Sequence, residues 1–368
     1  METIPHGGNI ELYLCEKATR THTPINAILE LTPLCNMNCE MCFVRLRPEE
    51  VHRQGGLRSV EEWISLARQM QQAGTLFVLL TGGEPLLYPG FRRLYLALKQ
   101  MGMILTVNTN GTLLEEDWAD FFAAHPPRRI NITLYGKDED TYRRLCHFPG
   151  YAKTLRAIQL LRERSVSVKV NGSITPANVK ETEELTAIAQ GTHTAWKFDT
   201  YMYPACRERT APFSAQSRLS PSDAAAARVE LLRKKLSAEE FGRFASDFVQ
   251  KSAASAAAAD RHVSCRAGRS SFAVTWRGEL RPCVLMPGPG IPVFATGLKD
   301  AWRQLTEAVS EILLNQTCST CTRRNVCQTC AACAVLETGR FDGLPKYMCK
   351  YTETTVRLLE KELSARGR

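Results

Sequence analysis

Short apolar runs, many of them β-branched, alternate with longer amphipathic stretches through the first half of the chain. Six of these runs have the character of strands, at 27–32, 76–80, 104–108, 130–135, 167–174 and 195–203. Helical spacing of apolar residues marks the stretches between them, at 60–73, 91–101, 115–124, 153–164 and 179–189. This alternation predicts a parallel sheet flanked by helices. Six such units suit an open, partial (β/α)6 barrel with its site at the carboxyl ends of the strands.

The pattern changes after Tyr203. Ser220 and Pro221 mark a helix start, and an Ala-, Lys- and Glu-rich stretch follows to about Ala259. From Cys265 the chain is rich in Cys, Gly and Pro, and a last helical pattern covers 352–363. We therefore predict an N-terminal extension (1–25), a barrel (26–210), a helical connector (211–262), a small Cys-rich domain (263–350) and a C-terminal helix (351–368).

Composition narrows the class of protein. No apolar run approaches the roughly 18 residues of a membrane span, and the N-terminus lacks a signal-type apolar core. The sequence predicts a cytoplasmic protein without a membrane partner. The net charge of +9 fits a solvated basic surface or an acidic partner. No nucleic-acid motif is present, so we expect no nucleic-acid partner.

Fourteen cysteines are many for a reducing compartment, where they serve more often as metal ligands than in disulfides. Cys35, Cys39 and Cys42 follow the first predicted strand directly. A cubane 4Fe–4S cluster normally takes four thiolates, so three would leave one iron open for a ligand. The alternative is a zinc site with a distant fourth ligand.

Polar motifs end the next strands. They are Thr81-Gly82-Gly83-Glu84-Pro85, Thr109-Asn110-Gly111 and Thr133-Leu134-Tyr135-Gly136. Adjacent glycines permit a close backbone approach, and a carboxylate can hold an ammonium group. Each polar residue could instead be a turn or cap residue.

The C-x3-C-x2-C loop with this ordered set of strand ends resembles the radical S-adenosylmethionine (SAM) superfamily. The resemblance implies that the open iron binds SAM and that reduction generates a 5′-deoxyadenosyl radical, which abstracts a substrate hydrogen. By the same resemblance, Gly82, Gly83 and Glu84 would hold the SAM amino group. Asn110, Thr133 and Asn171 would contact its ribose or carboxylate. Met41 departs from the family pattern, which usually has an aromatic residue before the third cysteine.

A second group holds eight cysteines, enough for two sets of four. Its members are Cys265, Cys283, Cys318, Cys321, Cys327, Cys330, Cys333 and Cys349. Zinc ribbons also contain C-x2-C pairs, so zinc is the alternative reading of this group too.

The asymmetric spacing resembles the SPASM domain, a two-cluster extension of radical SAM enzymes. The resemblance implies an outer cluster on Cys318, Cys321, Cys327 and Cys349, and an inner one on Cys265, Cys283 and Cys330. Cys333 would complete the inner set, although Cys330 comes one residue earlier than the pattern and Cys333 is extra. The expected cofactors are thus three 4Fe–4S clusters and SAM. An electron-transfer role for the two auxiliary clusters implies a donor such as flavodoxin or ferredoxin.

Three cysteines remain outside the two groups: Cys15, Cys146 and Cys206. Most such cysteines are small buried hydrophobes. Cys206 follows the sixth predicted strand, so its thiol could donate a hydrogen atom to a substrate radical.

SPASM enzymes mostly modify ribosomally made peptides or proteins, so the resemblance implies crosslinking, thioether formation or epimerisation of such a substrate. Val284 stands where sulfatase-maturating enzymes have an acidic base, which disfavours that reaction. Little chain precedes the first strand, so we expect the barrel itself or a separate recognition protein to bind a peptide. The alternative is a dehydrogenase or decarboxylase of a small metabolite. An iron–sulfur carrier is less favoured, because it would not need the polar strand ends.

Overall fold

The computed structural model describes residues 8–204, 207–208, 218–254 and 261–366. Cys206 lies outside the described residues. The strands are β1 Asn26–Glu30, β2 Phe77–Thr81, β3 Ile104–Thr109, β4 Arg129–Thr133, β5 Val168–Ser173, β6 Ala195–Asp199, β7 Ser271–Val274, β8 Glu279–Arg281 and β9 Ile291–Pro292.

Fifteen α-helices accompany these strands in the described part of the chain. The first eight are α1 Gly8–Thr21, α2 Pro48–Arg53, α3 Val60–Gln72, α4 Phe91–Gln100, α5 Glu116–Ala124, α6 Glu139–Cys146, α7 Tyr151–Glu163 and α8 Thr182–Gly191. The others are α9 Pro221–Lys235, α10 Ala238–Ala253, α11 Val293–Thr296, α12 Leu298–Ser310, α13 Gln316–Ser319, α14 Ala331–Thr338 and α15 Lys346–Arg366.

One sheet runs through both halves of the molecule, in the order β6-β5-β4-β3-β2-β1-β7-β8-β9. Strands β1 to β6 are all parallel, as the βα alternation predicts. Strand β7 adds to β1 in parallel, and β8 and β9 continue the sheet antiparallel. The cysteine-rich region is therefore attached to the barrel by continuous backbone pairing.

Burial alternates along the barrel strands, so their two faces have different surroundings. Leu29, Leu80, Leu105 and Val107 are inaccessible to solvent and pack under the helices. The intervening positions, such as Ile28, Leu79 and Asn108, are partly open and face the interior. Because side chains alternate between the two faces of a strand, one face packs against helices while the other lines a cavity.

Two element boundaries differ from the sequence prediction. Strand β6 ends at Asp199 rather than Tyr203, because the next residues leave the sheet and Thr200 hydrogen-bonds the Tyr351 hydroxyl (3.0 Å). Helix α15 begins at Lys346, directly after Pro345, and so includes Cys349. The predicted connector forms two helices, each with a serine at its N-cap.

Helices α9 and α10 pack against α15 through Phe241, Phe248, Val356 and Leu359. This packing holds the last helix beside the cysteine-rich region. None of the described helices is long and apolar enough to cross a membrane.

Candidate functional site

The first cysteine group lies in a loop that is held from two sides. The Asn38 amide donates to the Cys146 carbonyl and the Glu40 amide to the Leu145 carbonyl, both at 2.9 Å. The loop therefore rests on the carboxyl-terminal end of α6. Sulfur acceptors organise its interior, since the Met37 amide donates to Cys35 Sγ (3.4 Å) and the Arg45 amide to Cys42 Sγ (3.3 Å).

The two glycines after β2 press against the start of this loop. The Gly83 amide donates to the Thr32 carbonyl at 2.6 Å, and the Glu84 amide donates to the Leu34 carbonyl at 2.8 Å. A Cβ on Gly82 would lie 2.4 Å from the Thr32 carbonyl oxygen, and one on Gly83 would lie 2.3 Å from that of Leu34. Glycine is thus required here because two backbone segments of the chain itself meet.

Glu84 is fully buried and bridges two strand ends. Its Oε1 accepts from the Thr109 hydroxyl (2.8 Å) and the Leu86 amide (3.1 Å), and its Oε2 from the Asn110 amide (2.8 Å). Burial raises the pKa of this carboxyl to about 7, although all three hydrogen bonds favour the charged form. Glu84 is not among the residues that line the adjoining cavity.

Asn110 connects Glu84 to the cysteine loop. Its Nδ2 donates to Asn36 Oδ1 (2.9 Å) and lies 3.7 Å from Cys35 Sγ. Its Oδ1 accepts from the Thr112 hydroxyl (2.7 Å). The side chain therefore contacts the first cysteine and also lines the cavity.

A cavity of about 640 Å³ opens at the carboxyl ends of the strands. Cys35, Cys39 and Cys42 line one part of it, with Gly82, Gly83, Asn110 and Thr133. Asn171 does not line this cavity; it lies two residues before Ser173 on β5, which does. The structure thus brings together all the residues predicted for the SAM site except Glu84 and Asn171, which lie beside it.

The opposite part of the cavity reaches the cysteine-rich region. Tyr201 and Tyr203 line it, with Val284 and Leu285 beside Cys283 and Gln328 beside Cys327. Sequence reasoning did not single out the two tyrosines, because the predicted strand ran to 203. A predicted strand that ended at Asp199 would have placed both tyrosines in the loop after β6, at the carboxyl ends of the strands.

Glu30 and Arg207 form a buried ion pair in the cavity wall. The two guanidinium Nη atoms contact both carboxylate oxygens at 2.6 and 2.7 Å, with both side chains almost inaccessible. The Glu208 carboxylate accepts from Trp276 Nε1 at 3.3 Å. These contacts tie the chain after β6 to β1 and to the β7–β8 turn, which the sequence did not predict.

Cys146, left out of both groups, is fully buried beside the first one. Its side chain contacts that of Cys39, and this contact is the largest cause of the raised pKa of the Cys39 thiol. Cys15 lies instead under α1 with Ala18 and Ile25, where Asn26 Nδ2 is 3.6 Å from its sulfur.

The outer cysteines predicted for the second group share one small cavity of about 150 Å³. Cys318, Cys321, Cys327 and Cys349 all line it, and Arg323 and Arg324 complete its wall. Burial raises the pKa of the Cys318 thiol, which Arg324 opposes. The Thr352 hydroxyl lies 3.5 Å from Cys327 Sγ.

The inner cysteines come together at the end of β8 and the start of α14. Burial raises the pKa of the Cys265 and Cys283 thiols, and the nearby sulfur of Cys330 raises both further. Cys330 caps α14, accepting from the Cys333 amide at 3.4 Å. Cys333 is fully buried, and burial raises its pKa to about 12.

The donor sets fit the implied cofactors. Among the described residues, no three Cys, His, Asp or Glu side chains are placed to hold a single metal ion. A cubane cluster binds each thiolate at a different iron, and the outer set offers four thiols around one cavity. The first set offers three thiols at the edge of a larger cavity with space for a further ligand.

Comparison with known proteins identifies the barrel. Residues 29–187 match the model of the radical SAM superfamily. The chain carries a radical SAM domain. This match confirms the recognition made from the cysteine loop and the strand ends.

Two curated relatives each match less than half of the chain. The sporulation killing factor maturation protein SkfB of Bacillus subtilis is 24% identical over 168 residues, 45% of this chain and 39% of that protein. The AdoMet-dependent heme synthase of Methanosarcina barkeri is 25% identical over 162 residues, 44% of this chain and 46% of that protein. The chain thus covers less than half the length of these relatives.

Solved structures match almost the whole chain. SuiB of Streptococcus suis, bound to its precursor peptide SuiA, superposes with a TM-score of 0.67 at 15% identity over 95% of this chain and 82% of that one. The protein anSMEcpe with bound AdoMet gives 0.69 at 16% identity over 93% and 96%. The predicted fold class is confirmed, and the likeness in fold extends through the cysteine-rich region.

Proposed function

We propose that this radical SAM enzyme modifies a ribosomally made peptide or protein and uses three 4Fe–4S clusters to do so. The cavity that joins the first cysteine loop to the inner cysteine group carries this proposal. A substrate in that cavity would lie between the SAM site and an auxiliary cluster. The likeness in fold to SuiB, whose crystal structure contains a precursor peptide, supports a peptide rather than a metabolite.

The residues at the strand ends would bind and orient SAM. When bound to the cluster, SAM supplies a 5′-deoxyadenosyl radical on reduction, which abstracts a substrate hydrogen. The exposed backbone of Gly82 and Gly83 would contact the amino group, and Asn110 and Thr133 would contact the ribose or carboxylate. Glu84 would act indirectly, because its hydrogen bonds hold Asn110 and the end of β3 in position. Asn171 would support the site from its place on β5.

The second cysteine group would hold two electron-transfer clusters. Cys318, Cys321, Cys327 and Cys349 would bind the outer one, and Cys265, Cys283, Cys330 and Cys333 the inner one. The outer cavity is bounded by Arg323 and Arg324, which would offset the negative charge of a thiolate cluster. These clusters would exchange electrons with a carrier such as flavodoxin or ferredoxin. A separate recognition protein could deliver the peptide substrate.

Cys206 is proposed as a hydrogen donor in the last step. It is adjacent to Arg207, which the buried pair with Glu30 anchors at the cavity wall. A thiol hydrogen passed to a substrate radical would give epimerisation, whereas electron loss to an auxiliary cluster would give a crosslink or thioether.

The proposal is tested with reconstituted, dithionite-reduced protein and synthetic copies of each short peptide that the neighbouring genes encode. We expect 5′-deoxyadenosine, methionine and a mass change in one peptide, detected by liquid chromatography and mass spectrometry. Cys35→Ala should abolish both products. S-adenosylhomocysteine in place of 5′-deoxyadenosine would contradict the proposed chemistry, and turnover of a small metabolite alone would contradict the peptide substrate.

A further inference from the structure

Two tyrosines stand between the cavity and the inner cysteine group. Tyr201 and Tyr203 both line the cavity, and their ring centroids lie 4.8 Å apart in an edge-on arrangement. The Tyr203 hydroxyl is 3.9 Å from Cys330 Sγ, and the Tyr201 hydroxyl is 3.2 Å from Cys333 Sγ. Each ring thus borders the cavity while its hydroxyl reaches a cysteine of the inner group.

The direction of the Tyr203 hydrogen bond follows from the state of its partner. A thiolate bound to iron has no proton, so it can only accept a hydrogen bond. Within the described ranges, the Tyr203 hydroxyl contacts no hydrogen-bonding atom other than Cys330 Sγ. With a cluster in place, the Tyr203 hydroxyl can therefore take part in this contact only as the donor.

Tyr201 differs because a stronger acceptor competes for its proton. Its hydroxyl donates to Glu337 Oε1 at 2.8 Å, and the same carboxylate is paired with Arg218. Hydrogen bonds to an ionised carboxylate are about twice as strong as those between neutral groups. Cys333 consequently receives little of the Tyr201 proton, and Tyr203 is the stronger of the two tyrosine donors to the inner sulfurs.

Hydrogen bonds to cluster sulfurs help to set the reduction potential. A donor stabilises the reduced cluster more than the oxidised one, because reduction adds negative charge. We propose that Tyr203 raises the reduction potential of the inner auxiliary cluster through Cys330 and forms the contact that couples this cluster to the cavity. This inference rests on the proposed function, in which Cys330 is a ligand of that cluster.

The consequence is an electron acceptor beside the substrate. The cluster that Cys265, Cys283, Cys330 and Cys333 would hold would supply a one-electron acceptor for the substrate radical, and the substrate would lose a proton or form its new bond as the electron leaves. Tyr203 would keep its proton and would not be oxidised, so it is a positioning residue. The cluster that Cys318, Cys321, Cys327 and Cys349 would hold would supply the route for that electron to the external carrier.

The test measures the reduction potentials of the two auxiliary clusters. It uses a full-length variant in which Ala replaces Cys35, Cys39 and Cys42, because this variant should retain only those clusters. Anaerobic redox titration followed by electron paramagnetic resonance gives both potentials, and Cys349→Ala identifies the outer signal. Tyr203→Phe should lower the inner potential and leave the outer one unchanged. Tyr201→Phe should lower the inner potential by less.

Tyr347→Phe is the matched control. The Tyr347 ring lies 5.5 Å from that of Tyr201, but its hydroxyl donates to the Leu219 carbonyl (2.7 Å) and contacts none of the described cysteines. It should change neither potential. An unchanged inner potential in Tyr203→Phe, or an equal shift in Tyr347→Phe, would overturn the inference.

A second measurement does not depend on the stability of a variant. In the parent protein exchanged into D2O, electron–nuclear double resonance should detect a hydroxyl deuteron coupled to the reduced inner cluster, in addition to the deuterons of backbone amides such as that of Cys333. Absence of the hydroxyl deuteron would also overturn the inference. A parent protein without auxiliary clusters would instead contradict the proposed function, so the two failures are distinguishable.

Discussion

Glu84 is the buried carboxylate on which the ends of β2 and β3 meet, and it titrates in an unusual range. Burial raises its pKa from 4.5 to about 7. Between these values the unfolded chain loses the proton while the folded chain keeps it. The stability contributed by this group is therefore fully present below pH 4.5 and is lost as the pH rises through 7.

Infrared difference spectroscopy should show a protonated carboxyl band that titrates near pH 7 and is missing in Glu84→Gln. The variant should also be less stable by about 1–3 kcal/mol, because the amide accepts fewer of the three donors. Its SAM affinity should fall, since Asn110 is held by the same carboxylate. Glu61→Gln, at an exposed carboxylate paired with Arg93, should keep the band. A band that titrates near pH 4.5 would contradict the prediction.

Cys206 gives a second prediction at this scale. Cys206→Ala should still cleave SAM and abstract a substrate hydrogen, but should not release the finished product. Turnover of the unaltered enzyme in D2O should label the product carbon, because a thiol exchanges its hydrogen with solvent. Cys15→Ala is the control, since Cys15 is buried away from the cavity. Normal product from Cys206→Ala, without deuterium in the unaltered enzyme's product, would leave only the oxidative route.

The residue identities at the site could be predicted, but their contacts could not. The motif Gly82-Gly83-Glu84 and the polar strand ends were sufficient to indicate SAM binding. That Glu84 turns toward Thr109 and Asn110 depends on how β2 and β3 are aligned, which a local motif does not specify. The pair of Glu30 and Arg207 joins residues far apart in sequence, so no spacing could reveal it.

At the scale of elements, the alternation of apolar runs and amphipathic stretches predicted the six parallel strands β1 to β6. Each of these strands has a local hydrophobic pattern that recurs along the chain, so the strands can be recognised from a single sequence. The three additional strands are short, and β7 joins β1 only through long-range pairing. Such pairing is decided by tertiary packing, which explains why the nine-stranded sheet was not predicted.

The contact between the β2 turn and the cysteine loop gives an element-scale prediction. Gly83→Ala would place a Cβ 2.3 Å from the Leu34 carbonyl oxygen, so one of the two segments must move. We expect a loss of roughly 1–3 kcal/mol in stability and incomplete loading of the first cluster. Iron analysis and chemical denaturation measure these effects.

Gly191→Ala is the matched control, because a Cβ there meets no atom within 4 Å. It should keep full loading of the first cluster. The auxiliary cysteines should also stay loaded in Gly83→Ala, since they lie elsewhere in the molecule. Full loading of the first cluster in Gly83→Ala would show that the loop tolerates displacement.

At the scale of the whole molecule, eleven cysteines divide into one group of three, which lines the large cavity, and one of eight, of which the four outer members line the small cavity. Reconstituted protein should contain about twelve irons and twelve sulfides, four for each cubane. Replacing Cys35, Cys39 and Cys42 with Ala should remove about four irons and abolish SAM cleavage, while the remaining eight or so persist. Cys15→Ala should change nothing, because that cysteine packs under α1. Stoichiometric zinc with little sulfide in anaerobically purified protein would contradict the assignment of all three clusters.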